Sequence, residues 1–229
     1  MRHRPGTFSI AVRDPASKAF GAAVTTATVA VGATCPYVSA NAAVLTQAFT
    51  RTEHGRDAVA RADRGERVGE ACAALLDADE RAEYRQVHGV GRDGAFTHTG
   101  AECVEWAGSR VGEAYTVAGN MLAGPDVLDA VAEAYENADG DLPARLLAAL
   151  EAGEAAGGDE RGELSAALLV HAPEPRFYHN LRVDLSETPI ADLGDLLAEA
   201  RLAHEKLVGE SDDLLGEYPE DLLDFGVKY

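Results

Sequence analysis

The chain has 229 residues, with 39 Asp and Glu against 20 Lys and Arg, a formal net charge of −19 and 46% apolar residues. That apolar content suffices for one large folded domain or two small ones. So negative a surface repels phosphate backbones and anionic membranes, which removes nucleic acid and membrane from the expected partners.

The basic residues are skewed: only Lys18, Lys206 and Lys228 are lysines. Many carboxylates, few lysines and abundant alanine are the composition of a salt-accumulating halophile. At molar salt the Debye length falls to about 3 Å, so self-repulsion costs little. Cys35, Cys72 and Cys103 are odd in number and widely spaced. They form no disulfide or zinc framework and fit a reducing compartment. The N-terminus lacks an apolar signal core. The expectation is a cytoplasmic protein of a halophilic archaeon or bacterium.

In chain order, TFSIAVRD alternates, with Phe8, Ile10 and Val12 on one face and Thr7, Ser9, Ala11 and Arg13 on the other. Asp14-Pro15 marks a turn, and KAFGAAVTTATVAVG returns as a second strand, setting Thr25 or Thr26 opposite Thr7. Ala42–Phe49 reads as a strand, and His54–Asp77 as two helices broken near Gly65. Tyr84–Thr99 is a hairpin turning at Arg92-Asp93-Gly94, followed by a strand ending at Gly119-Asn120. Helices are expected from Asp126 to about Asn137 and from Leu142 to Ala155. LSAALLVHA and RFYHNLRVDLS are further strands, and Pro189 opens a long helix. This order favours a single α+β domain of stacked sheets covered by helices. Residues 1–6 read as a leader open to removal, 7–208 as the domain and 209–229 as an acidic tail.

Thr7 is the first candidate for chemistry. A threonine hydroxyl needs an adjacent base, and cleavage before Thr7 would expose its own α-amine, with a pKa of about 7.7–8.0. Gly6 is small enough for the strained turn that self-cleavage requires. The plain alternative is that Thr7 merely begins a strand behind a frayed terminus. Gly119 and Asn120, at a strand end, suit an oxyanion-binding role. Asp159, Arg161 and Ser165, in GGDERGELSAALLV, suit orientation of such a centre. Asp14 and Arg13 are candidates for setting its charge. Thr25, Thr26, Gln47 and His54 are supporting candidates. No HExxH, EF-hand loop, phosphate loop or dinucleotide glycine motif is present, so no metal and no cofactor is expected.

The blocks TFSIAVRDP, AVTTATVAVGATCPYV, LTQAF, RQVHGV, HTGAECVEWAGSRVGEAYTVAGNMLAGPDVLDA and LLAALEAGEAAGGDERGELSAALLV resemble the domain-of-unknown-function 1028 family over roughly residues 7–200. That family resembles the N-terminal-nucleophile hydrolases. The resemblance implies a four-layer αββα sandwich in which Thr7 takes the place of the residue that begins the first strand. Other members start Met-Thr; here Arg2 to Gly6 intervene. The proteasome-type lysine has no counterpart, because no lysine lies between Lys18 and Lys206. The expected function is an amidohydrolase acting on a small amide or related carbonyl substrate. The rival is a non-catalytic scaffold binding a small molecule or a partner. A flat sheet-and-helix sandwich at high salt readily self-associates, so a homodimer is within reach of this surface.

Overall fold

The computed structural model describes residues 6–159 and 161–214, with side chains to residue 206. The leader up to Pro5, Glu160 and the tail from residue 215 lie outside the described residues.

The first hairpin forms as its alternation dictates. β1 (Thr7–Asp14) pairs antiparallel with β2 (Ala19–Thr26). The register sets Thr7 against Thr26, and Thr25 against Phe8. β2 stops at Thr26, short of the predicted run to Gly32. The next residues turn away through Ala30, in the left-handed region at φ 58°, into a single 3-10 turn at Val31–Ala33. Two short strands escape sequence periodicity: β3 (Pro36–Val38) and, later, β7 (Gly108–Val111).

β4 (Ala42–Ala48), β5 (Arg85–Gly91) and β6 (Gly94–Thr99) join β3 in a four-stranded antiparallel sheet, in the order β3-β4-β5-β6. α1 (Thr52–Asp63) and α2 (Val68–Asp77) intervene between β4 and β5. Gly65, at φ 93°, breaks the two helices where the sequence places the break.

β8 (Tyr115–Asn120), α3 (Asp126–Asn137), α4 (Leu142–Ala155), β9 (Ser165–His171), β10 (Asn180–Val183) and α5 (Pro189–Leu214) complete the described chain. The predicted strand from Arg176 yields instead a 3-10 turn at Phe177–His179 ahead of a short β10. α5 continues to Leu214, past the predicted domain end at 208. The larger sheet is six-stranded and antiparallel, in the order β10-β9-β2-β1-β8-β7.

Three apolar cores hold these elements. Phe8, Ile10 and Val12 point from β1 to α3, α4 and α5, where they meet Leu128, Val131, Leu146, Leu150, Ile190 and Leu193. Fully burying a side chain of this size contributes about 1.5–3 kcal/mol. The opposite face of the six-stranded sheet packs on the four-stranded sheet through smaller residues, among them Ala11, Ala22, Val24, Ala43, Leu45 and Ala167. Ala42, Val44 and Val87 face α1 and α2 through Ala58, Ala71, Cys72 and Leu76. The three cysteines are free and buried. Burial pushes the Cys35 thiol up and Cys72 up to about 12, so both act as small apolar fillers.

Candidate functional site

Residues paired across neighbouring strands project from the same face of a sheet. The registers Thr26 with Ser165, Thr7 with Thr26 and Thr7 with Asn120 therefore set four polar side chains in one row. The row crosses β9, β2, β1 and β8 at one end of the six-stranded sheet. It lies on the face that Ser9 and Ala11 share, toward the other sheet. All four residues are buried.

Within the row the Thr7 hydroxyl donates to Thr26 Oγ1 at 3.1 Å. The Thr26 hydroxyl in turn donates to the Gly6 carbonyl oxygen. Thr7 Oγ1 thus points its hydrogen at Thr26, which leaves its lone pairs uncommitted to Thr26. Gly6 packs against the Asp159 side chain. A Cβ there would lie 2.7 Å from Asp159 Cγ and 2.9 Å from Met121 Cβ, so only glycine fits. The Asp159 carboxylate is fully buried and clamped by Arg161: Nε donates to Oδ1 at 2.9 Å and Nη2 to Oδ2 at 2.7 Å, with the Arg161 amide on Oδ1 at 3.0 Å. Leu122 makes a bridge to Asp159, tying this loop to the end of β8.

Asn120 reaches into the space between the sheets. Its Nδ2 donates to Gln86 Oε1 at 3.0 Å, which leaves its second N–H for another partner. Gln86 is the hub there. Its Oε1 also accepts from Gln47 Nε2 at 2.8 Å, and its own Nε2 faces the Gly119 carbonyl at 2.8 Å and Thr99 Oγ1 at 3.0 Å. Gln47 Oε1 accepts from the Ser9 hydroxyl at 2.6 Å. Ser9 has only one hydrogen to give, so His88 Nε2, 2.8 Å away, is the donor to Ser9 Oγ. His88 Nδ1 then accepts from the Thr116 hydroxyl at 2.9 Å. Burial holds His88 neutral, its pKa pulled down to about 3.

The predicted site residues therefore divide. Thr7, Thr26, Asn120, Gly119, Gln47, Asp159 and Arg161 gather at one end of the stacked sheets. Ser165 stands in the row, but its hydroxyl donates to the Thr28 carbonyl at 2.7 Å and accepts from the Val31 amide at 3.1 Å, so it pins the loop after β2. Thr25 faces the helices and donates to the Ser165 carbonyl at 2.9 Å.

Asp14 and Arg13 are not part of this group. Seven residues of extended strand carry Asp14 about 23 Å from Thr7. There its carboxylate accepts from Ala16 N and Ser17 Oγ in the turn, while Arg13 donates to the Arg92 carbonyl at 2.8 Å. His54 is also elsewhere, on the α1 side of the four-stranded sheet, with Nε2 3.3 Å from Asp79 Oδ2. Burial outweighs that carboxylate and lowers the His54 pKa. Burial alone would raise Asp79, but Arg85, the Arg81 amide and Arg51 overcome it and hold the carboxyl at about 2. Gln86, Ser9 and Thr116 were not among the predicted site residues. Their signal was the inward face of each strand, but the pairing of one sheet with the other is not written in either strand.

Among the described residues, no cluster of three or more His, Cys, Asp or Glu could hold a metal ion. Among them, too, no helix is long and apolar enough to cross a membrane.

Fold and site together define a mixed α+β protein of two antiparallel sheets and, among the described residues, five α-helices, with a buried polar end between the sheets. A family model described as a family of unknown function, DUF1028, matches residues 7–193, and the chain belongs to that family. The chain is similar to the crystal structure of protein SPO2555 from Silicibacter pomeroyi, with 32% identity and a TM-score of 0.80 over 85% of this chain and 86% of that one. No curated protein matches it.

Proposed function

We propose that the protein is an N-terminal-nucleophile-type amidohydrolase acting on a small amide or related carbonyl substrate, with Thr7 as nucleophile. The reading takes the two packed sheets and their flanking helices as the αββα sandwich of that class. One observation carries it: Thr7 heads β1 with its hydroxyl held by Thr26, while the residue before it abuts the buried Asp159 carboxylate. Removal of residues 1–6 would leave the Thr7 α-amine beside its own hydroxyl and near that carboxylate.

Thr7 Oγ then adds to the substrate carbonyl carbon, and the hydroxyl proton passes to the α-amine. The C–N bond breaks, the leaving amine departs with that proton, and an ester to Thr7 remains. The free N–H of Asn120 and nearby backbone amides stabilise the oxyanion; one such donor is worth about 10²–10³ in rate. Water adds to the ester carbonyl, with the α-amine taking its proton and returning it to Oγ as the acid leaves. Asp159, ordered by Arg161, orients the amine.

A β-lactone acyl probe tests the assignment. It should form one adduct, mapped by peptide mass to Thr7, and none with Thr7→Ala. Equal labelling of that variant would contradict it. The scaffold reading, in which the same end binds a small molecule without chemistry, is favoured by the lack of any lysine between Lys18 and Lys206 to tune the Thr7 amine. It predicts no adduct on either protein.

A further inference from the structure

A second feature lies far from Thr7. Ser165, at the start of β9, pairs with Thr26, whereas His171, at its end, pairs with Phe20, about 20 Å along the sheet. Beside that far end is an open groove of about 850 Å³, between β9, β10 and Val38 of β3. Such a volume suits a small organic ligand.

The chemistry of the groove runs against the rest of the protein. The chain has nearly two carboxylates for every basic residue, yet the groove is lined by Arg176, Arg182, His171 and His179 and by no acidic residue. Pro175 and Phe177, with Leu169 and Val170, supply an apolar wall.

The hydrogen bonds around it orient donors. Arg176 Nη1 lies 2.8 Å from His204 Nε2. A guanidinium only donates, so Nε2 accepts and His204 is the neutral tautomer with its hydrogen on Nδ1. His204 is 6% exposed, and that Nδ1 has no partner among the described residues. His204 thus stands behind Arg176 as a buried prop and does not compete for its remaining N–H groups. The His179 ring accepts the Arg176 amide at Nδ1, 3.2 Å away, which puts its hydrogen on Nε2. Burial holds His179 down to about 4, with Arg176 and the neighbouring histidines reinforcing that against the pull of Asp141. The acidic partners of the two arginines, Glu174 and Asp184, are solvent-exposed, and ion pairs of that kind exchange readily for another anion.

We propose that this groove is a binding site for a small organic oxyanion, a carboxylate or phosphate on an apolar body. Arg182 takes the headgroup in exchange for its exposed Asp184 partner, Arg176 adds positive charge and, with His179, N–H donors from the α5 side of the groove, and Phe177 and Pro175 take the body. The site is independent of any chemistry at Thr7.

Calorimetric titration of the full chain with phenyl phosphate, benzoate and inorganic phosphate, at constant KCl, tests this. Saturable binding of phenyl phosphate or benzoate is expected, and the tighter of the two identifies the headgroup. Inorganic phosphate should bind at least about tenfold more weakly, because it has no body to place on the apolar wall. Arg182→Gln should weaken the preferred probe about tenfold or more with an unchanged melting midpoint. Arg176→Gln should do the same, and the exposed Arg182 keeps the test valid if loss of the His204 contact unfolds that variant. No saturation by either organic probe at millimolar concentration would overturn the proposal. So would unchanged affinity in Arg182→Gln, or inorganic phosphate binding as tightly as the organic probes.

Discussion

Thr26 holds Thr7 from one side and the Gly6 carbonyl from the other, so a single hydroxyl governs how the candidate nucleophile is presented. Thr26→Val keeps the shape but leaves both groups without that partner. It should cost about 1–3 kcal/mol in urea unfolding, since buried polar groups lose their bonds. It should also slow acylation of Thr7 by the β-lactone probe. Unchanged stability and labelling would show that Thr26 is only a neighbour. His88 gives a second prediction at this scale. Its folded pKa of about 3 lies below the ordinary 6.5, so the unfolded chain binds the extra proton between those values. Stability from this group is complete above pH 6.5 and is lost as pH falls toward 3, at about 1.4 kcal/mol per pH unit for one proton. His54, His179 and His204 are shifted the same way and add to the slope. His88→Gln should therefore reduce, not abolish, the acid slope measured by denaturation at a series of pH values.

At the scale of elements, β5 binds the candidate site together. Gln86 connects β4 through Gln47 and β8 through Asn120 and the Gly119 carbonyl. Gln86→Leu leaves those groups buried without partners, and a loss of about 2–5 kcal/mol is expected in urea unfolding. A change under 1 kcal/mol would mean that water replaces the amide. The element pattern also explains what could be read in advance. β1, β2, β4, the β5–β6 hairpin, β8 and the five α-helices of the described residues follow from alternation, helical spacing and the Gly65 and Asp93-Gly94 breaks. β3 and β7 are too short, at three and four residues, to leave a periodic trace. Asp14 looked like a neighbour of Thr7 because it shares a strand, but an extended strand separates its two ends by its whole length. Thr7 and Thr26 were legible because one hairpin pairs them, whereas Asn120 stood out only as an amide at a strand end and its pairing with Thr7 is long-range. The Ser9–His88 and Gln47–Gln86 contacts were not, because they depend on how one sheet docks on the other.

For the whole molecule, 39 acidic residues against 20 basic ones predict a strong salt dependence. The thermal midpoint should rise steadily as KCl is raised toward molar concentration, where repulsion among surface carboxylates is screened within about 3 Å. A midpoint indifferent to salt would count against the halophilic reading of the composition. The groove runs along the β9–β10 edge of the larger sheet, and Thr7 lies two strands in from β9, so one can be disabled without touching the other. The central claim concerns the bond between Gly6 and Thr7. Intact-mass measurement of the protein purified from its native host examines it most directly. A mass that begins at Thr7, with the six preceding residues gone, is the predicted result; a mass that retains Gly6 ahead of Thr7 would contradict the hydrolase account.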